Sequence, residues 1–301
     1  MLRDKCEVWA PAKINLDLRV LGRRPDGFHE LDTTFVAVDL YDHLRFVRCE
    51  GECRLVLSPD SEASVTPADF PLDERNLILR AVRLWEKVTG VRIGVEITVT
   101  KAIPSAAGLG GGSADAAATL WAINHLFGFQ KTDAELGRLG ASLGSDVPFF
   151  LGSATARAGG RGEVLDPIDL YRDWWAVLLC PPYRASTPEV YAGLSLTELV
   201  RNSRFDVRSD EEGFFAALRR SHNDLEEVVV RRIPALIALR DGLLANGAEH
   251  AAVSGSGPTV FGVFRRPPDQ SVLCRLKALG DSDLRICVVQ PVATRQALKT
   301  D

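Results

Sequence analysis

The 301-residue sequence has no apolar run of the roughly 18 residues needed to cross a bilayer, so no membrane partner is expected. It also has no CxxC pair. The six cysteines (Cys6, Cys49, Cys53, Cys180, Cys274 and Cys287) are scattered and none stands beside histidine at zinc spacing, which excludes the common zinc modules. Free thiols in a reducing compartment are the expectation. No leader pattern precedes the first strand-like residues, Val8 and Trp9, so the expected setting is the cytoplasm. A strong basic field is missing too: the formal net charge is -4, which argues against a nucleic-acid partner. A small anionic ligand is still allowed, because a local cationic pocket does not require a basic protein. Internal repeats and low-complexity tracts are absent.

What is present is a chain that is 46% hydrophobic and 25% charged, long enough for one large domain or two of ordinary size. Residues 14–20 alternate strictly between apolar and polar, the period of a half-buried strand, and residues 44–47 and 54–57 read the same way and are expected to pair with it. Apolar positions recur at helical spacing over 76–88, and the β-branched run 91–100 returns to strand. An alanine-rich helix is expected over 114–127. Another is expected over 132–143, with Thr132 and Glu135 forming a capping box. The polar stretch 196–213 reads as a surface connection. Beyond it, residues 223–246 read as helical with Pro234 starting a new helix. Strands over 251–253, 260–264 and 284–289 with a helix at 271–279 complete an α+β lobe. The boundary is placed so that 1–170 and 171–301 form two domains.

The glycine run Gly108-Leu109-Gly110-Gly111-Gly112-Ser113 leads directly into the alanine-rich helix. Glycines let a backbone approach a ligand, and the free N–H groups of a first helical turn favour anions, polyphosphates above all. A Walker loop is excluded because no lysine follows, and a dinucleotide fingerprint because Ser113 stands where glycine is needed. A second run, Ser254-Gly255-Ser256-Gly257-Pro258, taken alone reads first as a hairpin turn.

Lys13 and Asn15 lie two apart on one face of the opening strand, and Asp146 sits in a polar break before Pro148. Separately, these are a solvated edge charge and an ordinary loop or N-cap aspartate. Together they suit phosphoryl transfer to an alcohol, in which a carboxylate takes the hydroxyl proton and an ammonium steadies developing charge. The Pro25-Asp26-Gly27 turn presents Phe28 and His29 in a defined direction, fit to stack on a nucleobase and bond its edge.

The phrases Pro11-Ala-Lys-Ile-Asn-Leu16, Gly22-Arg-Arg-Pro-Asp-Gly-Phe-His-Glu30, Gly108-Leu-Gly-Gly-Gly-Ser-Ala-Asp-Ala-Ala117 and Leu143-Gly-Ser-Asp-Val-Pro-Phe149 resemble those of the GHMP kinases. Within that family they are similar to the branch whose alcohol is a cytidine-diphosphate-linked methylerythritol of the non-mevalonate isoprenoid route. Asn76-Leu-Ile78, Gly160-Arg-Gly-Glu163, Asn223-Asp-Leu-Glu226 and Ser254-Gly-Ser-Gly257 extend the match over nearly the whole chain. The resemblance implies an α+β, two-lobed GHMP-kinase fold: an N-terminal ATP-binding lobe, a C-terminal ferredoxin-like lobe and a site in the cleft between them. It implies Asp146 as general base beside Lys13. ATP would lie on Ser105, Ala106, Ala107, Gly108, Leu109, Gly110, Gly111, Gly112, Ser113, Ala114 and Asp115, with Asn76 and Lys101 near the nucleotide. The alcohol would meet Asn15, Phe28, His29, Thr187, Tyr191, Gly255, Ser256 and Gly257: His29 on the cytosine edge, Phe28 and Tyr191 flanking the base, Thr187 close to Asp146. Mg2+ is expected with ATP, with Ser113 as a candidate ligand. The partner implied is a small molecule, and the resemblance leaves room for a homodimer.

Two departures stand out. Phe28 occupies a place where the family commonly has tyrosine, which removes one hydrogen bond worth about 0.5–1.5 kcal/mol. Ala114 stands where serine is frequent. Other readings on the same fold are a homoserine or mevalonate kinase, a decarboxylase, or a catalytically silent binding protein. The silent form should lack Asp146 or Lys13.

Overall fold

In the computed structural model, which describes residues 4–62, 70–195, 205, 206, 208–292 and 298–300, the strand expected over 14–20 is part of a longer one. β1 (Lys5–Arg23) and β2 (His29–Arg48) form a long antiparallel hairpin. The Pro25-Asp26-Gly27 turn joins them: Gly27 takes φ +86° and Asp26 Oδ1 accepts the Phe28 N–H at 3.2 Å. The alternation in β1 suggested a half-buried strand, yet residues 10–18 are all buried. Ala12, Ile14 and Leu16 join a core shared with the second sheet, while Lys13, Asn15 and Asp17 are enclosed as well.

β3 (Arg54–Leu57) does not pair with β1. After α1 (Leu77–Thr89) the chain forms β4 (Val95–Thr100), which pairs antiparallel with β2, and β3 lies parallel to β4. Alternation specifies which face is apolar but not which strand is the neighbour. α2 (Gly111–Phe127) begins three residues before the alanine run, so Gly111 to Ser113 are its first turn. α3 (Asp133–Leu143) carries the expected Thr132–Glu135 capping box. The short elements α4 (Val147–Leu151), β5 (Thr155–Gly159) and β6 (Val164–Pro167) were not read from sequence. β5 pairs with β2 and β6 with β5.

The second sheet starts at β7 (Trp175–Cys180), a continuous apolar run that was not among the expected strands. There follow α5 (Thr187–Ala192), α6 (Glu211–Leu218), α7 (Glu226–Arg232), α8 (Ala235–Ala245), β8 (His250–Val253), β9 (Val260–Phe264), α9 (Gln270–Lys277) and β10 (Arg285–Val289). Pro234 does begin α8. Of the connection expected over 196–213, residues 196–204 and 207 lie outside the described residues. Its end is helical rather than irregular, because Asp210 caps α6 by accepting the Gly213 N–H. The sheet order β10-β7-β9-β8, antiparallel throughout, is the ferredoxin-like arrangement. The chain then returns to the first sheet, where β11 (Lys299–Thr300) pairs with β1 and gives the order β11-β1-β2-β4-β3. Among the described residues no helix is long and apolar enough to cross a membrane. All six cysteines are free thiols.

Candidate active site

A cleft of about 780 Å³ is lined by residues of both lobes. Its phosphate-sized end is the glycine loop. Ala106, Gly108 and Gly110 all take positive φ (52°, 76° and 73°). Gly108 also has no room for a side chain, since a Cβ there would stand 2.1 Å from the Ser254 carbonyl oxygen. Ala114 is the first residue of α2 whose N–H finds a helical carbonyl, that of Gly110 at 2.9 Å. The N–H groups of Gly111, Gly112 and Ser113 are therefore the open positive end of a 17-residue helix. Ser105 to Gly108, Gly110 to Ser113 and Asp115 line the cleft. Leu109 and Ala114 do not: their side chains are buried in the two adjoining cores. A serine hydroxyl at 114 would start out in apolar surroundings, so the departure noted there removes no contact visible in this structure.

The acid–base pair lies in the same cleft. Lys13 Nζ is 3.6 Å from Asp146 Oδ2; the lysine side chain is 6% exposed and the aspartate 31%, so the carboxylate is the partner open to a ligand. Asp146 caps no helix with its side chain. Lys13 is held from several sides. Its ammonium donates to Asn15 Oδ1 (2.6 Å), Asn15 Nδ2 donates to Thr33 Oγ1 (2.9 Å), and Thr33 donates to the Asp17 carbonyl (2.6 Å). The Lys13 main-chain N–H donates to the Leu109 carbonyl at 2.9 Å, which ties the pair to the glycine loop.

The second-lobe turn 254–258 packs directly on that loop. Ser254 Oγ donates to the Gly108 carbonyl (3.0 Å), and the Thr259 N–H to the Ala107 carbonyl (3.3 Å). Thr187 and Ser256 share a hydroxyl–hydroxyl bond of 2.7 Å. Asn223, buried, donates from Nδ2 to the carbonyls of Val253 (2.9 Å) and Gly255 (2.7 Å) and so fixes the turn. Its role was not read from the sequence, although the Asn-Asp-Leu-Glu phrase contains it.

At the other end of the cleft, His29 stacks on Tyr191 with centroids 5.1 Å apart. Phe28 is 50% exposed, and the Arg161 guanidinium lies 4.6 Å over its ring. Tyr191 therefore offers one face to His29 rather than to an open slot, and Phe28 is the more open surface. Partial burial, and then the Arg23 charge, hold the His29 imidazole below its ordinary pKa, so the ring is neutral near pH 7. Arg161 was missed as a cleft residue; the glycines on both sides of it were the available signal.

Asn76 and Lys101 line the cleft, but both are already engaged. Asn76 caps α1, accepting the Ile78 N–H at 3.0 Å, and its amide donates to the Pro71 carbonyl at 2.8 Å. Lys101 is buried between two carboxylates: it bonds Asp115 Oδ2 at 2.8 Å and Asp42 Oδ2 at still closer range. It is thus not a free cation facing phosphate. Burial pushes the Asp115 carboxyl up, against the pull of Lys101. Asp42 was not singled out in the sequence at all.

The matches to known proteins agree with this geometry. The chain matches the GHMP kinases N terminal domain over residues 76–153 and the GHMP kinases C terminal domain over 198–282. It is 43% identical over 264 residues to the 4-diphosphocytidyl-2-C-methyl-D-erythritol kinase of Geobacillus thermodenitrificans, covering 86% of this chain and 88% of that one. A crystal structure of 4-(cytidine 5'-diphospho)-2C-methyl-D-erythritol kinase superposes with a TM-score of 0.77 at 33% identity, over 95% of this chain and 100% of the other. A homoserine kinase from Cytophaga hutchinsonii superposes with a TM-score of 0.74 at 21% identity, over 100% and 98% of the two chains, a likeness of fold. With both family domains matched in order and such identity along most of its length, the chain belongs to the GHMP kinases, in the 4-diphosphocytidyl-2-C-methyl-D-erythritol kinase family.

Proposed function

We propose that the chain transfers the γ-phosphoryl group of ATP to the C2 hydroxyl of 4-diphosphocytidyl-2-C-methyl-D-erythritol. The observation that carries this reading is the 3.6 Å approach of Lys13 to Asp146 in the cleft that the open N–H groups of α2 also face. ATP phosphates lie on the amides of Gly111, Gly112 and Ser113. The hydroxyl proton passes to the Asp146 carboxylate as the alcohol oxygen bonds to the γ-phosphorus. The bond from that phosphorus to the β-phosphate bridging oxygen breaks, and ADP leaves. Lys13, held by Asn15, steadies the charge that develops between the two reactants. His29, neutral, turns one ring nitrogen to the cytosine edge while Tyr191 holds its plane and Phe28 provides a stacking face.

Among the described residues no cluster of three or more His, Cys, Asp or Glu could hold a metal. That suits Mg2+ carried mainly on phosphate oxygens, where it would neutralise charge on the transferring group. Ser113, whose hydroxyl lies 3.8 Å from the position of a Cβ on Gly144, is the candidate protein ligand in this reading. Residues 1–170 serve in this reading as the ATP-binding domain and 171–301 as the C-terminal domain, except that Val292 and residues 298–300 return to the first lobe. Dependence on ATP and six free cysteines support a cytoplasmic setting.

The test is ATP turnover with the cytidylyl methylerythritol against homoserine and mevalonate. Preference for either simpler alcohol would reassign the substrate, and carbon dioxide release would reassign the reaction to a decarboxylase.

A further inference from the structure

The glycine loop is expensive to hold in one shape. It contains four glycines between 108 and 112, and Ala106 in a left-handed conformation that residues with a Cβ rarely adopt. A cradle of amides stabilises a polyphosphate well only if its geometry exists before the ligand arrives. Something must therefore fix both ends of the segment.

We infer that Asp42, Lys101 and Asp115 form a buried staple that closes the ATP loop, with Asp42 as its positioning residue. Asp42, on β2, is fully buried. Its Oδ1 accepts the N–H groups of Ala102 (2.7 Å) and Ile103 (2.8 Å), the two residues that lead into the loop. Its Oδ2 accepts from the Lys101 ammonium, which reaches on to Asp115 Oδ2 at 2.8 Å in the first turns of α2. One side chain on the platform strand thus fixes the loop entrance directly and the exit through a single ammonium. The contact is tight on the exit side too: a Cβ on Gly111 would fall 2.9 Å from Ile103 and 3.4 Å from Asp42 Oδ2. All three side chains are at most 4% exposed, so water does not screen them.

This arrangement changes the meaning of Lys101. A lysine at the end of a strand beside a phosphate loop suggests direct contact with the nucleotide. Shared by two carboxylates, it instead sets the loop's shape, and Asp42 acts on ATP only through main-chain amides.

The inference rests on the reading that this loop binds ATP, and the experiment separates the two. Calorimetric titration of the intact protein with ATP, in the absence of any alcohol, is compared for wild type, Asp42→Asn, Asp115→Ala and Asp115→Asn. No ATP binding by wild type would remove the underlying reading. Given wild-type binding, Asp42→Asn should weaken ATP at least about 10-fold, with the KM for the alcohol within about twofold, because only the loop is disturbed. Asp115→Ala keeps the neutral Asp42–Lys101 pair and frees the exit alone. It should weaken ATP about 5-fold and speed hydrogen exchange of amides 104–113 by about 10-fold, and Asp115→Asn, which still accepts from Lys101, should recover most of that loss. If Asp42→Asn does not fold, the Asp115 pair and its exchange rates decide alone. Unchanged ATP affinity and unchanged loop exchange in Asp115→Ala, or equal weakening of ATP and alcohol in a folded Asp42→Asn, would overturn the staple.

Discussion

Asp17 carries a stability cost that a single substitution should recover. Its carboxylate is buried beside Asn15; Oδ1 accepts the Thr34 N–H at 2.8 Å, while Oδ2 and the neighbouring Thr34 hydroxyl are buried without a partner. Burial pushes the carboxyl up to about 6 from 3.8. Thr34 and the Arg157 charge work in the opposite direction and Asp32 adds to the rise. A carboxyl raised in the folded state binds more protons folded than unfolded between these two values. Stability therefore falls as pH rises from about 4 to about 6 and does not return above that. The difference of about two pH units corresponds to about 3 kcal/mol at full ionisation. Asp17→Asn keeps an oxygen for the Thr34 N–H and removes the buried charge. The variant should gain about 1–3 kcal/mol at pH 8, less whatever the new amide leaves unsatisfied, and about a third of that near pH 4.5. Urea unfolding of both proteins at the two pH values reads the difference directly. A variant less stable than wild type at pH 8, or one whose advantage does not shrink in acid, would refute the reasoning.

Three further outcomes are expected. Asp146→Asn should cut kcat about 100-fold or more with ATP affinity nearly unchanged, as single-turnover kinetics would reveal; full turnover would remove Asp146 as the base. His29, with its pKa held below the ordinary value, should keep the KM for the cytidylyl alcohol flat from pH 8 to about 6.5, with KM rising only as the ring protonates in more acid solution. In His29→Ala that KM should be raised throughout and the acid inflection lost, measured as kcat/KM at saturating ATP. Gly108→Ala should raise the KM for ATP about 10-fold or more, since the residue sits at φ +76° and its Cβ would meet the Ser254 carbonyl oxygen at 2.1 Å. Steady-state titration with ATP checks it, and a wild-type value would mean that the loop and the 254–258 turn do not need their close approach.

What could be read from the residues was mostly local. The capping box at Thr132, Pro234 at the head of α8 and the glycine run before α2 announce themselves within a few positions. The pairing of Lys13 with Asn15 follows from strand period alone. The features that escaped depend on distant partners. Asp42 reaches residues 59 to 61 positions away, and nothing in Tyr41-Asp42-His43 marks it as an anchor. Lys101 was expected only near the nucleotide, and its engagement by two carboxylates stayed hidden because they come from separate elements. β3 carried the right period but no signature of its neighbour, and β5 and β6, at five and four residues, are too short for a pattern to emerge.

The return of the chain to its first sheet bears on how the molecule can be cut. Val292 and Leu298 feed the first lobe's core, and residues 299 and 300 cover part of the outer border of β1 at Val8 and Trp9. A fragment ending at residue 170 would leave that border's main-chain groups unpaired and those two apolar seats vacant, a template for association with other strands. Separate expression of the halves should yield a sticky first piece, soluble only when the second is supplied alongside it.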